Sequence, residues 1–122
     1  MRINEKKSFN DPCIEEKFDK CKLKIVNFND GKTYAAMCIL EPGWKWSECV
    51  GPEKGLDKCP TDHFGFIVSG TMICVDEAGN EVEYSAGDVY LIPPGHDAWV
   101  VGDEKVVGYE FSENWNTHEI HL

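Results

Sequence analysis

The chain has 122 residues, 22 acidic and 12 basic, for a formal charge of −10. That length fits one domain of the commonest size. The charge argues against nucleic acid and anionic membrane surfaces as partners, because both require clustered basic groups.

The polar opening MRINEKKSFN has no apolar core of a signal peptide. No apolar run approaches the roughly 20 residues that span a bilayer. A cytoplasmic location is expected, with the six cysteines as reduced thiols or metal ligands rather than disulfides.

In chain order, residues 1–22 read as a polar lead-in, with Phe9, Ile14 and Phe18 as anchors and a short helical turn over residues 15–19. Residues 23–28 alternate apolar and polar as a half-buried strand does. Asn29-Asp30-Gly31-Lys32 is a hairpin signal, since Asp-Gly tolerates the positive φ of tight turns. Residues 33–41 return as a strand, Pro42-Gly43 breaks it, and WKWSECV (44–50) reads as the next strand. Residues 51–62 form a long loop with two prolines, and long loops in compact domains tend to be functional or mobile. Strands follow at 64–69, 71–76, 81–84, 89–92, 98–101 and 105–112, and residues 113–122 form a surface-lying tail. About nine short strands with turns every 8 to 12 residues predict an all-β jelly-roll sandwich or barrel. It is a single domain, with the barrel over residues 23–112.

Several strands are apolar at both parities, for example Phe64-Gly65-Phe66-Ile67-Val68. A sheet with a solvated outer face would be polar at alternate positions. The second face is therefore expected to be covered by the N-terminal segment or, the commoner solution, by a second subunit in a homodimer.

The stretch GDVYLIPPGHDAWVVGD (87–103) stands out. A rigid Pro93-Pro94-Gly95 corner must sit at a strand end, which places His96 at the mouth of whatever the strands enclose. Gly87, five residues and Pro93-Pro94-Gly95 resemble the second motif of the cupins, small β-barrels. His63, six residues and Gly70 resemble the end of the cupins' first motif, with His63 in the place of its glutamate. Cys49 falls where that motif's first histidine would be, Gly51 at the second, and Ala98 at the histidine of the second motif, with Gly102 for its asparagine. EPGWKWSECV and IPPGHDAWVVGDE are also similar to a group of small stand-alone cupins of unassigned activity. The resemblance implies a double-stranded β-helix but not the three-histidine, one-glutamate metal set in its standard form.

Four residues form the candidate metal set: Cys49, Cys59, His63 and His96. Spacing alone also suits ordinary thiols and hydrogen-bonded barrel histidines, because there is no CxxC or HxH signature. Their place in the resemblance makes them a metal set. Cys59 and His63, about 13 Å apart along a straight strand, require a bend at Pro60-Thr61-Asp62. Two thiolates and two imidazoles suit tetrahedral zinc, with iron or copper also compatible. Glu48 and Asp97 flank the set as candidate acceptors for the imidazoles, but on a strand they point away from their neighbours, which favours solvated surface. Trp44, Trp46, Tyr90 and Trp99 suit core packing or an aromatic pocket, while His118 and His121 read as solvated. The expected function is a metal-dependent enzyme acting on a small organic molecule. Its rivals are a non-catalytic binding or sensing module with a structural metal, and a redox sensor built on Cys49 and Cys59.

Overall fold

Antiparallel pairing organises nearly the whole chain in the computed structural model, which describes residues 3–113. The strands are β1 (Ile14–Phe18), β2 (Cys21–Phe28), β3 (Thr33–Leu40), β4 (His63–Ser69), β5 (Thr71–Val75), β6 (Glu81–Ser85), β7 (Val89–Ile92), β8 (Asp97–Val101) and β9 (Val106–Glu113). Two short helices, α1 (Trp46–Cys49) and α2 (Gly51–Lys54), separate β3 from β4. One sheet has the order β1-β2-β3-β9-β4-β7 and the other β6-β5-β8. The fold is the expected all-β jelly roll, whose strands pair out of chain order. Among the described residues, no helix is long and apolar enough to cross a membrane.

The core lies between the sheets and follows the period of 2. Tyr34, Ala36, Cys38 and Leu40 are buried on β3, and Met72, Cys74, Ala98 and Val100 face them from the second sheet. The Asn29-Asp30-Gly31 hairpin forms as its composition requires, with three successive positive φ angles of 52°, 54° and 82°.

Three local expectations are corrected, and one is brief: the first four residues of the expected 51–62 loop are helical, as α2. Residues 15–19 suit a helical turn too short to hold itself together, and Ile14–Phe18 is instead a strand paired with β2, Phe18 opposite Cys21. A single turn has no internal means of holding itself, whereas pairing satisfies the backbone groups along β2. WKWSECV is not a strand either. Trp44 and Lys45 are extended against β8, where Trp44 O accepts from Val100 N at 3.0 Å. The chain then turns helical, burying Trp46, Cys49 and Val50 at the i, i+3, i+4 period. The orphan Ser47 N–H at the start of α1 donates to Asp97 Oδ1 at 3.0 Å.

One row of residues across the large sheet decides the site. Register places Ala36 opposite Glu110, Glu110 opposite Gly65, and Gly65 opposite Tyr90. With no side chain at Gly65, Tyr90 reaches past β4 to Glu110. A Cβ built at Gly65 would lie 2.1 Å from Tyr109 O and 2.9 Å from Glu110 Cγ. Gly65→Ala should therefore cost about 1–3 kcal/mol through overpacking, read as a lower urea midpoint. An unchanged midpoint would mean that β4 moves off β9 without penalty.

Candidate metal centre

Three of the four expected ligands converge. A backbone bridge ties the 51–62 loop to the proline corner: Cys59 N donates to His96 O at 2.8 Å, and Gly95 N to Cys59 O at 2.7 Å. The expected bend at residues 60–62 then brings His63 back, so that Cys59 Sγ and His63 Nε2 are 3.5 Å apart. The His96 ring meets His63 edge-on, with centroids 5.0 Å apart. Donor atoms of Cys59, His63 and His96 all lie within 4.8 Å of one another, and all three residues are buried. Ligands of one tetrahedral zinc stand about 3.3–3.8 Å apart, given Zn–N near 2.0–2.1 Å and Zn–S near 2.3 Å. Closing the group around an ion thus needs shifts of about an ångström or less.

The second nitrogen of each imidazole sets its tautomer. His96 Nδ1 lies 2.6 Å from Pro93 O, a carbonyl that can only accept, so Nδ1 carries the proton. His63 Nδ1 lies 2.6 Å from Glu110 Oε1, again an acceptor. The Tyr90 hydroxyl donates to Glu110 Oε2 at 2.8 Å. Both Nε2 atoms are thereby assigned to the space shared with Cys59. This is the arrangement that orients metal-binding histidines.

Electrostatics follow the same pattern. Burial alone would raise the Cys59 thiol, but hydrogen bonds and charge from His63 and His96 outweigh it and bring it to about 6. Burial alone would lower His63, but the Glu110 charge, reinforced by Cys59, raises it to about 10. Burial pushes the Cys21 and Cys74 thiols up to about 12 and Cys38 well up. Cys59 is thus the thiol made ready as a thiolate, the form that binds metal.

Cys49 is not in the group. It lies on the helical turn of α1 and is buried near Cys21, whose thiol it helps to raise. Glu48 is exposed, and Asp97 is spent on the Ser47 and Ala98 amides rather than on an imidazole. Sequence reasoning missed Glu110, and it read Tyr90 as a packing or pocket residue but not as the donor to Glu110. The available signal was a lone carboxylate at the inward parity of an apolar strand, VVGYEF. His118 and His121 lie outside the described residues.

His63, His96 and Glu110 border a cavity of about 40 Å³ in the barrel, together with Trp44, Trp46 and Tyr90. Aliphatic side chains such as Ile67, Ile92 and Val106 complete its wall. By the usual measure it has room for about three waters. Trp46 is 1% exposed and its indole N–H has no hydrogen-bond partner. The expected aromatic pocket is therefore made by Trp44, Trp46 and Tyr90, while Trp99 lies half-buried under Lys45.

Residues 45–119, more than half of the chain, match the family described as the EutQ-like cupin domain. The chain is a cupin. No curated protein matches it in sequence. An oxalate decarboxylase from Lactobacillus farciminis, solved as a formate complex, aligns with a TM-score of 0.62 at 22% identity, over 84% of this cupin and 31% of that chain. A Bacillus subtilis oxalate decarboxylase described for its Mn(II) centres aligns at 0.58 and 25% identity, over 90% and 29%. A cupin-like protein from Thermotoga maritima aligns at 0.55 and 20% identity, over 80% and 70%. This cupin therefore spans about a third of the length of the oxalate decarboxylases.

The Glu110 contacts carry a stability prediction. Glu110→Ala leaves the buried His63 Nδ1–H and Tyr90 hydroxyl without acceptors and should cost about 1–3 kcal/mol or more. Tyr90→Phe, which leaves one carboxylate oxygen unpaired, should cost less. Chemical denaturation of both variants checks the order, and a reversed order would remove Glu110 from the centre of this network.

Proposed function

We propose that Cys59 Sγ and the Nε2 atoms of His63 and His96 bind one divalent metal, and that this cupin is a metal-dependent enzyme acting on a small organic molecule in the barrel cavity. One observation carries the reading: both imidazoles have Nδ1 tied to an acceptor, the buried Glu110 carboxylate for His63 and the Pro93 carbonyl for His96, which turns both Nε2 atoms toward the Cys59 sulfur. Three protein ligands leave a fourth position for water or substrate, the mark of a catalytic rather than a structural site. A thiolate and two imidazoles favour zinc, with iron as the alternative. The Mn(II) of the Bacillus subtilis decarboxylase is an ion better suited to oxygen ligands.

The metal would supply Lewis acidity or a bound hydroxide at neutral pH. The chain supplies the rest. Glu110 holds the Nδ1 proton of His63, and Tyr90 holds Glu110. The unpartnered Trp46 N–H is a donor for an acceptor oxygen, and the apolar wall excludes bulk water. A cavity of about 40 Å³ limits the reacting part of the substrate to a few heavy atoms.

Cys59, His63 and Glu110 also stand in the order of nucleophile, base and orienting carboxylate. Yet Cys59 is 0% exposed and does not border the cavity. A ligand can be buried in this way, but a nucleophile must meet its substrate, and this favours the metal. A non-catalytic binding or sensing cupin would use the same ligands with the fourth position closed.

Elemental analysis of untagged protein should find about one metal per chain, absent from a His63→Ala/His96→Ala variant. Glu110→Gln should weaken metal binding about 10–100-fold in competition with a chromophoric chelator, as loss of a partner behind a histidine ligand does. No metal in the wild-type protein, even after incubation with Zn²⁺ or Fe²⁺, would sink the proposal.

A further inference from the structure

The wall of the barrel cavity carries two indole N–H groups without a hydrogen-bond partner, those of Trp44 and Trp46. The residues are 3% and 1% exposed. The Trp44 N–H has the Cys21 thiol near it, a weak acceptor. The Trp46 ring is fixed from two sides. A Cβ built at Gly51 would lie 3.1 Å from its Cζ3, and Lys54 Nζ stands 5.8 Å from the ring centroid. With the Cζ3 edge against Gly51, the opposite edge, which bears the N–H, is the one left for the cavity. An indole N–H can only donate, and a buried donor left unpaired is costly. A ligand oxygen at this edge offsets that cost.

Charge narrows the class of ligand. Among the described residues, no lysine or arginine borders the cavity. An anion enclosed there would have only the metal for a counter-charge, and the Cys59 thiolate and Glu110 carboxylate already balance a divalent ion. Glu110 has both oxygens engaged, by the Nδ1 proton of His63 and by the Tyr90 hydroxyl. A ligand bringing its own O–H or N–H would therefore find no free carboxylate oxygen to accept it. What remains is an uncharged acceptor oxygen on a small carbon frame, which the walls of Ile67, Met72 and Ile92 suit.

We propose that Trp46 is the specificity-determining residue of this cavity, donating its indole N–H to the oxygen of a small neutral aldehyde or ketone. The charge balance rests on the metal site proposed above, so the test reads the two separately.

Acetone, acetate and 2-propanol have the same number of non-hydrogen atoms and differ in charge and in donor groups. Protein labelled with 15N-tryptophan is loaded with Zn²⁺, the uptake is measured by chelator competition, and each compound is then titrated. The Trp46 indole proton, assigned by its absence from Trp46→Phe, should move downfield with acetone and saturate at concentrations on the order of millimolar. Acetate and 2-propanol should need at least about 10-fold more. Trp46→Phe should bind acetone about 2–10-fold more weakly, read by saturation transfer to the acetone methyls. Should that variant misfold, nuclear Overhauser contacts in the wild-type chain assign the resonance and the three titrations are unaffected. Zn²⁺ taken up with no movement of Trp46 on adding acetone would overturn this inference alone. So would acetate or 2-propanol binding as tightly as acetone. A chain that takes up no Zn²⁺ would overturn the metal site and this inference together.

Discussion

A buried carboxylate is costly unless every oxygen is used, and Glu110 meets that condition through His63 and Tyr90. Much of the large sheet serves this arrangement. β9 must lie between β3 and β4 for Glu110 to face inward beside Ala36, and β4 must carry a glycine where Tyr90 passes. The same carboxylate fixes which nitrogen of His63 is protonated, and with it which nitrogen faces Cys59. Fold and site are thus joined at one side chain.

The other half of the centre depends on backbone rather than charge. Gly95, with φ of 90°, lets the proline corner turn so that its own N–H reaches Cys59 O while the Cys59 N–H reaches His96 O. The loop that follows α2 is thereby pinned at Cys59. Before α2, the Asp97 carboxylate from β8 caps the first turn of α1. Residues 96 and 97 therefore act on the same β3–β4 connection at two places. His96 carries an imidazole of the candidate site and the backbone bridge to Cys59, and Asp97 holds the helix that precedes it. A loop tied in this way presents its cysteine in one position.

Much of the site was legible before the fold. Cys59, His63 and His96 could be named from the motif resemblance and residue chemistry, and the bend at residues 60–62 followed from the distance that four extended residues span. Cys49 was named from its place in the motif, and WKWSECV, with tryptophans at i and i+2, carries a strand signature, whereas α1 sets Cys49 apart from the other three. The helical signature in the same stretch, Trp46 with Cys49 and Val50, is three positions long and depends on a distant aspartate for its cap. Glu110 was missed, and Tyr90 was read without its link to it, because the two sit 20 residues apart on strands that do not pair, and no local pattern links them.

By itself the sequence determined β2 to β9, their turns and their inward parity, because alternation and positive-φ turn residues are local properties of the chain, but it did not determine β1 or the helical turn at Trp46–Cys49. It also determined that one sheet face would be apolar on both sides. Only the tertiary structure decided which strands became neighbours, and hence that β9 would bring its glutamate to the histidine of β4. The physical reason is that register and capping across 40 or more residues are set by which packing arrangement satisfies all buried polar groups at once. That condition belongs to the folded whole and not to any stretch of it.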